Sequence, residues 1–201
     1  MLRRRLPLAP PLSTRLDRLR DRLAGHPPAV GDGDPALLWA AVAVVLAPSP
    51  DAVLLIRRAE RAGDPWSGHM ALPGGRRAVG DADLLSTAIR ETTEEVGLSL
   101  ARSELLGSLD DVVPRTPVLP PIAVRPYVFA LSGRPPLIPN PEVAALRWVT
   151  LDRLLHPETY HSVRLQIRGE SRDVPAYELE EAIVWGMTER IVSGLLELLG
   201  Q

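Results

Sequence analysis

Glu91, Glu94 and Glu95 are the residues of this chain whose types and spacing most directly suggest chemistry. At i, i+3 and i+4 on a helix, their carboxylates converge on one flank. Like charges so placed repel one another by about 0.2–0.5 kcal/mol per pair on an ordinary helix surface. A hard divalent cation, Mg2+ or Mn2+, relieves that repulsion, because such ions prefer oxygen ligands and bind through a few carboxylates plus substrate phosphates. For the three glutamates alone, a solvated acidic face is the competing reading. Upstream, Pro73-Gly74-Gly75 supplies a loop where backbone can approach a metal or a phosphate with no side chain in the way. Arg90 can hold a neighbouring carboxylate in one rotamer by a bidentate contact.

Other residues near this stretch are candidates of a second kind. Arg57, Arg58, Arg76 and Arg77 bracket it in sequence, and arginine suits bidentate contacts to phosphate oxygens. For any one of them, surface solvation is an equal alternative. Trp66 lies between Asp64-Pro65 and Ser67-Gly68, which read as loop, so it is a candidate to stack on a base or to pack on its own loop. His69 reads first as a packing or hydrogen-bonding residue and second as a catalytic one. Asp110, Asp111 and Glu142 are further acids, and Trp185 reads as core.

These groups need elements to hold them. From about Asp83 to Val96 the apolar period is helical: Leu85, Ile89, Thr92 and Val96 form one stripe, with Asp81 or Asp83 as N-cap and Gly97 just past the end. The three glutamates lie beside that stripe, at the edge of the buried face. Ser13 to Leu23 reads as a short helix with Ser13 as N-cap. Trp39–Leu46 and Ala52–Arg57 read as an antiparallel strand pair, and His69–Leu72 as a strand running into Pro73-Gly74-Gly75. Further strands are predicted at Glu104–Leu109, Ala123–Leu131, Ala144–Val149, Val163–Arg168 and Asp173–Tyr177, then a long amphipathic helix from about Leu179 to Leu199. The pattern is α+β, a mixed sheet layered with helices. Residues 1–36 are expected to be an N-terminal helix and loop, and 37–201 the main domain.

Composition closes several routes. The length is that of one ordinary domain. A net charge of -2 argues against nucleic-acid binding through a broad basic field. With no cysteine, thiol nucleophiles, thiolate metal sites and disulfides are excluded. All 23 basic residues are arginine, which excludes lysine Schiff-base chemistry and a P-loop lysine. Met1-Leu2-Arg3-Arg4-Arg5 is followed by prolines rather than a signal-type apolar run, and no apolar run is long enough for a bilayer, so a cytoplasmic protein with no membrane partner is expected.

The stretch around the glutamates resembles the box of the Nudix hydrolases, written G-x5-E-x7-R-E-U-x-E-E-x-G-U with U a bulky apolar residue. Here it reads Gly75-x5-Asp81-x8-Arg90-Glu91-Thr92-Thr93-Glu94-Glu95-Val96-Gly97-Leu98. The core Arg-Glu-x-x-Glu-Glu-x-Gly is intact, and its fixed positions would arise by chance on the order of once in 10^4 such chains. Asp81 replaces the usual Glu, one extra residue precedes Arg90, and Thr92 replaces an apolar residue. The resemblance implies a Nudix-like mixed sheet sandwiched between helices. It also implies a divalent cation (Mg2+ or Mn2+) held by Glu91 and Glu95, with Glu94 joining and the Gly75 carbonyl contributing, and structural roles for Asp81 and Arg90. In several such enzymes a glutamate six residues before a tryptophan lies near the metals, a position that Glu142 occupies relative to Trp148.

Beyond the box, Thr87-Ala88-Ile89-Arg90-Glu91, Pro139-Asn140-Pro141-Glu142-Val143 and Trp185-Gly186-Met187-Thr188-Glu189-Arg190-Ile191 resemble the coenzyme A pyrophosphatase branch of that family. Where that branch carries His-x-Gly-Gln, this chain has Trp66-Ser67-Gly68-His69. The implied activity is metal-dependent hydrolysis of the diphosphate linkage in a nucleoside diphosphate derivative, coenzyme A foremost. Nucleotide sugars and nucleoside triphosphates are the alternative substrates, and a nucleotide-sensing module without catalysis is the alternative of another class. The general base is a box glutamate or Glu142. The expected partner is the small-molecule substrate; homodimerisation is left open.

Overall fold

The computed structural model describes residues 12–29, 37–63, 67–114, 121–167, 169–180 and 182–200. Trp66, named above as a stacking candidate, lies outside these residues, as does the expected domain boundary at 36/37.

The first helix, α1 (Thr14–Ala24), starts where the Ser13 side chain accepts a hydrogen bond from the Leu16 N–H. Its Leu16, Leu19 and Leu23 are buried, so the leucine spacing marks the inward face. Strands β1 (Leu38–Ala47) and β2 (Ala52–Arg58) follow, apolar and almost wholly buried through their paired ends. The two pair antiparallel only at Leu46↔Val53 and Ala47↔Ala52, beside their connecting turn. Beyond that point they part. β4 (Gly74–Arg76) then pairs with β1, while β3 (Met70–Ala71) and β7 (Val143–Thr150) pair with β2. On the other side of β1, β6 (Ile122–Ala130) runs parallel to it over nine residue pairs, and β5 (Leu105–Ser108) adds antiparallel to β6. The result is a mixed seven-stranded sheet that splits between β1 and β2.

Helices cover both faces, as expected for the sandwich. On one face α2 (Leu84–Val96) packs Leu85, Ala88 and Val96 against Ala41, Ala43 and Val45 of β1. On the other, α1 and α4 (Gly186–Gly200) bring Leu16, Leu19, Ile191, Val192 and Leu195 onto Ala40, Val44 and Leu46. The alternation of neighbouring β1 residues between the two clusters is the period-2 consequence of the strand pleat. A three-stranded antiparallel sheet, β8 (Tyr160–Ile167), β9 (Glu170–Leu179) and β10 (Ala182–Trp185), leads into α4.

Three elements differ from the sequence expectation. The long final helix begins at Gly186 rather than near Leu179, and the residues before it form β10, paired with β9 at Ile183↔Glu178 and Val184↔Tyr177. Ile183 continues the i+4 apolar spacing of Met187 and Ile191, so periodicity runs through the junction; the break is at Gly186, with φ of +70°. Gly74–Arg76, read as loop, is a short strand. A short helix, α3 (Leu151–Leu155), is added after β7, and its N-cap Thr150 accepts from the Arg153 N–H at 3.2 Å.

Candidate active site at the split in the sheet

α2 starts where the Asp83 carboxylate accepts from the Ser86 N–H, and ends at Gly97, a left-handed C-cap with φ of +68°. Between these caps the helix presents its glutamates to the strand that precedes it. Glu95 is 4% exposed, so it sits on the buried face rather than at its edge. Its carboxylate accepts the Gly74 N–H at 2.9 Å. Glu91 lies one turn earlier, against Gly75. A Cβ on Gly75 would fall 2.5–2.6 Å from the Glu91 carboxylate, so any other residue displaces that carboxylate from where it stands. Gly74, at φ of +154°, has the Ala41 carbonyl where its Cβ would stand. The Gly-Gly pair is thus required by the close approach of β1, β4 and α2.

The electrostatics follow from this crowding. Burial pushes the Glu95 carboxyl up to about 7, against the Gly74 hydrogen bond that lowers it, and the neighbouring Glu91 charge adds to the rise. Burial also raises the Glu91 carboxyl, with the adjacent Arg90 guanidinium working against it. The pair is therefore short of compensating charge, which is the condition a bound cation relieves.

Arg90 and Asp81 hold the loop and helix together. Arg90 donates to both Asp81 carboxylate oxygens at 2.9 Å and contacts Glu91 at 2.8 Å. Asp81 also accepts from the Ala78 N–H and the Thr87 hydroxyl, and the Arg90 contact holds its carboxyl well below the usual carboxylate range. The shorter acid and the extra loop residue are both absorbed here. Thr92 is buried, but its hydroxyl donates to the Ala88 carbonyl at 2.7 Å, so the departure from an apolar residue leaves no orphaned group.

A cavity of about 410 Å3 opens at the split between β1 and β2. Glu91, Glu95, Gly74, Gly75, Arg58, Arg76 and Glu142 line it, so six of the sequence candidates and Gly74 come together. Glu142 is half exposed and pairs with Arg61 at 3.1 Å. The Pro139–Val143 segment positions it: the Asn140 N–H donates to the Glu95 carbonyl, the Asn140 side chain accepts from the Glu142 N–H, and Ala59 donates to the Glu142 carbonyl. Three candidates lie elsewhere. Glu94 is outside the lining and pairs at 3.1 Å with the same Arg90 nitrogen that meets Glu91, Arg57 is exposed on β2, and Arg77 donates to the Asp81 and Ala82 carbonyls. Asp110 and Asp111 also lie outside, the latter paired with Arg125 at 2.8 Å. His69 lines the cavity, its ring 4.8 Å from that of Trp185.

Arg61 and the α4 residues Met187, Thr188 and Ile191 also line the cavity without having been singled out by role. For Arg61 the signal was the Arg57-Arg58-Ala59-Glu60-Arg61 run, which a turn after β2 brings back over the site. Among the described residues, no three His, Asp or Glu side chains form a ready cation cage. Mg2+ commonly keeps several waters and takes one or two carboxylates plus substrate phosphates, so a closed cage is not needed. Glu91, Glu95 and the Gly75 carbonyl are oxygen donors of the right kind, beside a backbone cradle that admits no side chain, and the residues fit such an ion.

Comparison with known proteins bears on the family and the fold. A family model of the NUDIX domain matches residues 37–167. An uncharacterized Nudix hydrolase, NudL, of Photorhabdus laumondii is 29% identical over 187 residues, covering 92% of this chain and 96% of that protein. An uncharacterized protein, C14C4.10c, of Schizosaccharomyces pombe is 41% identical over 120 residues, 57% of this chain, and the match spans only 36% of that longer protein. A MutT/nudix family protein of Enterococcus faecalis superposes with a TM-score of 0.58 at 20% identity, over 82% of this chain and 63% of that one, and so supports the fold. With the domain match covering well over half its length, the chain belongs to the Nudix hydrolase family.

Proposed function

We propose that this protein hydrolyses the diphosphate linkage of a nucleoside diphosphate derivative, using Mg2+ or Mn2+ bound through Glu91, Glu95 and the Gly75 carbonyl. The observation that carries the reading is the meeting of two charge-starved carboxylates with a side-chain-free Gly-Gly strand in one cavity. The cation, when bound, neutralises the diphosphate and lowers the pKa of a coordinated water. Arg58 and Arg76 take phosphate oxygens from the cavity wall, where the guanidinium fork suits them. Glu142, half exposed at the rim and held by Arg61, orients or deprotonates the attacking water. Glu94 steadies Arg90, and through it the Asp81 loop, with a share in the metal when the substrate is bound. Residues 37–201 form the catalytic unit, and α1 (Thr14–Ala24) packs on its sheet.

Coenzyme A is the substrate favoured within this class. Its support is the Pro139–Val143 segment, which sets Glu142 against the end of α2, and the Trp185–Ile191 run, which supplies cavity residues. A panel of coenzyme A, its form lacking the 3′-phosphate, a nucleotide sugar and a nucleoside triphosphate, assayed with and without Mg2+, tests both levels. Metal-dependent release of two phosphate-bearing fragments supports the class, and preference for coenzyme A supports the finer assignment. Loss of rate without the 3′-phosphate marks a charge-assisted contact to it. Turnover of the sugar nucleotide in preference to coenzyme A removes the finer assignment alone.

A further inference from the structure

The cavity has two chemically different ends, and the sheet sets their spacing. β4, β1 and β6 are consecutive strands, with Ala40 opposite both Arg76 and Val124. Strands lie about 4.8 Å apart, so the β6 side of the cavity stands about 10 Å from the Gly-Gly strand. The near end carries Glu91, Glu95, Arg58 and Arg76. On the far side, Ile122 and Val124 of β6 line the cavity, and Met187, Thr188 and Ile191 of α4 line the same cavity with Ala40 and Val42. Met187 and Ile191 are i and i+4, and Thr188 and Ile191 are i and i+3, so one helix face supplies all three. Among the described residues the cavity lining holds no Phe, Tyr or Trp, and the one ring, His69, is already edge-on to Trp185.

Such a wall suits a flexible aliphatic chain better than a planar base, which gains most from a flat partner. It also carries one polar side chain with capacity to spare. The hydroxyls of Thr92 and Thr93 donate to carbonyls of their own helix, whereas the Thr188 hydroxyl makes no hydrogen bond among the described residues. A half-buried hydroxyl in an otherwise aliphatic wall is a single point of polar recognition.

We infer that the α4 face Met187-Thr188-Ile191, with Ile122 and Val124, is a specificity subsite for the non-nucleoside half of the substrate. That half is a flexible aliphatic arm bearing an amide, which Thr188 hydrogen-bonds, rather than a ribose or a second nucleoside. The inference rests on the diphosphatase reading for its orientation, with phosphates at the Gly-Gly end and the arm running toward β6. It assigns a role to Thr188 of the Trp185–Ile191 run that the hydrolytic chemistry itself does not use.

The test compares coenzyme A, which has such an arm, with ADP-ribose, which does not, in the wild type and in Thr188→Val, Thr188→Ser and Met187→Trp. Thr188→Val is expected to lower the ratio of kcat/KM for coenzyme A over ADP-ribose about tenfold, through KM rather than kcat, as one hydrogen bond is lost. Thr188→Ser restores the ratio, and Met187→Trp lowers it further by filling the channel. An unchanged ratio in both Thr188→Val and Met187→Trp overturns the subsite while leaving the diphosphatase intact. Absence of metal-dependent turnover on every substrate is the failure of the diphosphatase reading instead. Calorimetric binding of phosphopantetheine then decides the subsite separately: weakening by Thr188→Val supports it, and binding equal in the variant and the wild type overturns it.

Discussion

At the scale of single residues, the account rests on Glu91 and Glu95 being carboxylates held together against their mutual repulsion. Glu91→Gln and Glu95→Gln each remove one charge without changing shape. Each is expected to lower turnover by roughly 10^2-fold or more while the far-UV spectrum is unchanged, and to weaken Mn2+ binding measured by calorimetry. Near-normal turnover in both variants contradicts the assignment. Gly75→Ala places a methyl carbon against the Glu91 carboxylate and should cost as much activity as Glu91→Gln, although it removes no ligand group. The Glu95 environment also has a consequence for stability. Its carboxyl is raised from 4.5 to about 7 in the fold, so between these values the folded state binds more protons than the unfolded chain. Metal-free protein therefore loses stability as pH rises through that window. In chelator at pH 8, Glu95→Gln should melt at a higher temperature than wild type; an equal or lower Tm contradicts the burial argument.

At the scale of elements, the Asp81 loop and α2 form one unit through Arg90. Asp81→Ala leaves the Arg90 guanidinium without its main partner and should destabilise the protein by about 2–3 kcal/mol in urea titration. Because the Asp81 carboxyl is depressed in the fold, its contribution is complete above the unfolded value of about 3.9 and is lost as pH falls toward the folded one. The gap between wild type and Asp81→Ala should therefore close in acid, and a constant gap contradicts the ion pair as its cause. Most of this unit was legible in the sequence, since Asp83, Gly97 and the apolar stripe mark the helix and the box residues mark its chemistry. What was not legible depends on partners distant in the chain. Glu95 is buried rather than at an edge because β1 and β4 close over it. The boundary between β10 and α4 is invisible to periodicity, because Ile183, Met187 and Ile191 keep helical spacing while pairing with β9 claims the first of them. Arg57 and Arg77 adjoin site residues in sequence but line no part of the cavity: Arg57 alternates with Arg58 on β2, and Arg77 turns to the Asp81 and Ala82 carbonyls.

At the scale of the molecule, the site exists because β1 and β2 separate after two paired residues at their turn. Carboxylates from α2 on one face and the wall from α4 on the other reach the same gap. Among the described residues no helix is long and apolar enough to cross a membrane, and the helices instead bury their apolar faces on the sheet. A cation joining Glu91 and Glu95 ties α2 to the Gly-Gly strand, so Mg2+ or Mn2+ should raise the melting temperature of the wild type and not of Glu91→Gln. An equal rise in both places the ion elsewhere. The most direct measurement is diphosphate cleavage by the wild type and by Glu95→Gln, followed as release of phosphate-bearing fragments with Mg2+ and with chelator. The account predicts turnover only for the wild type with metal; cleavage that survives chelator, or that Glu95→Gln performs at the wild-type rate, contradicts it.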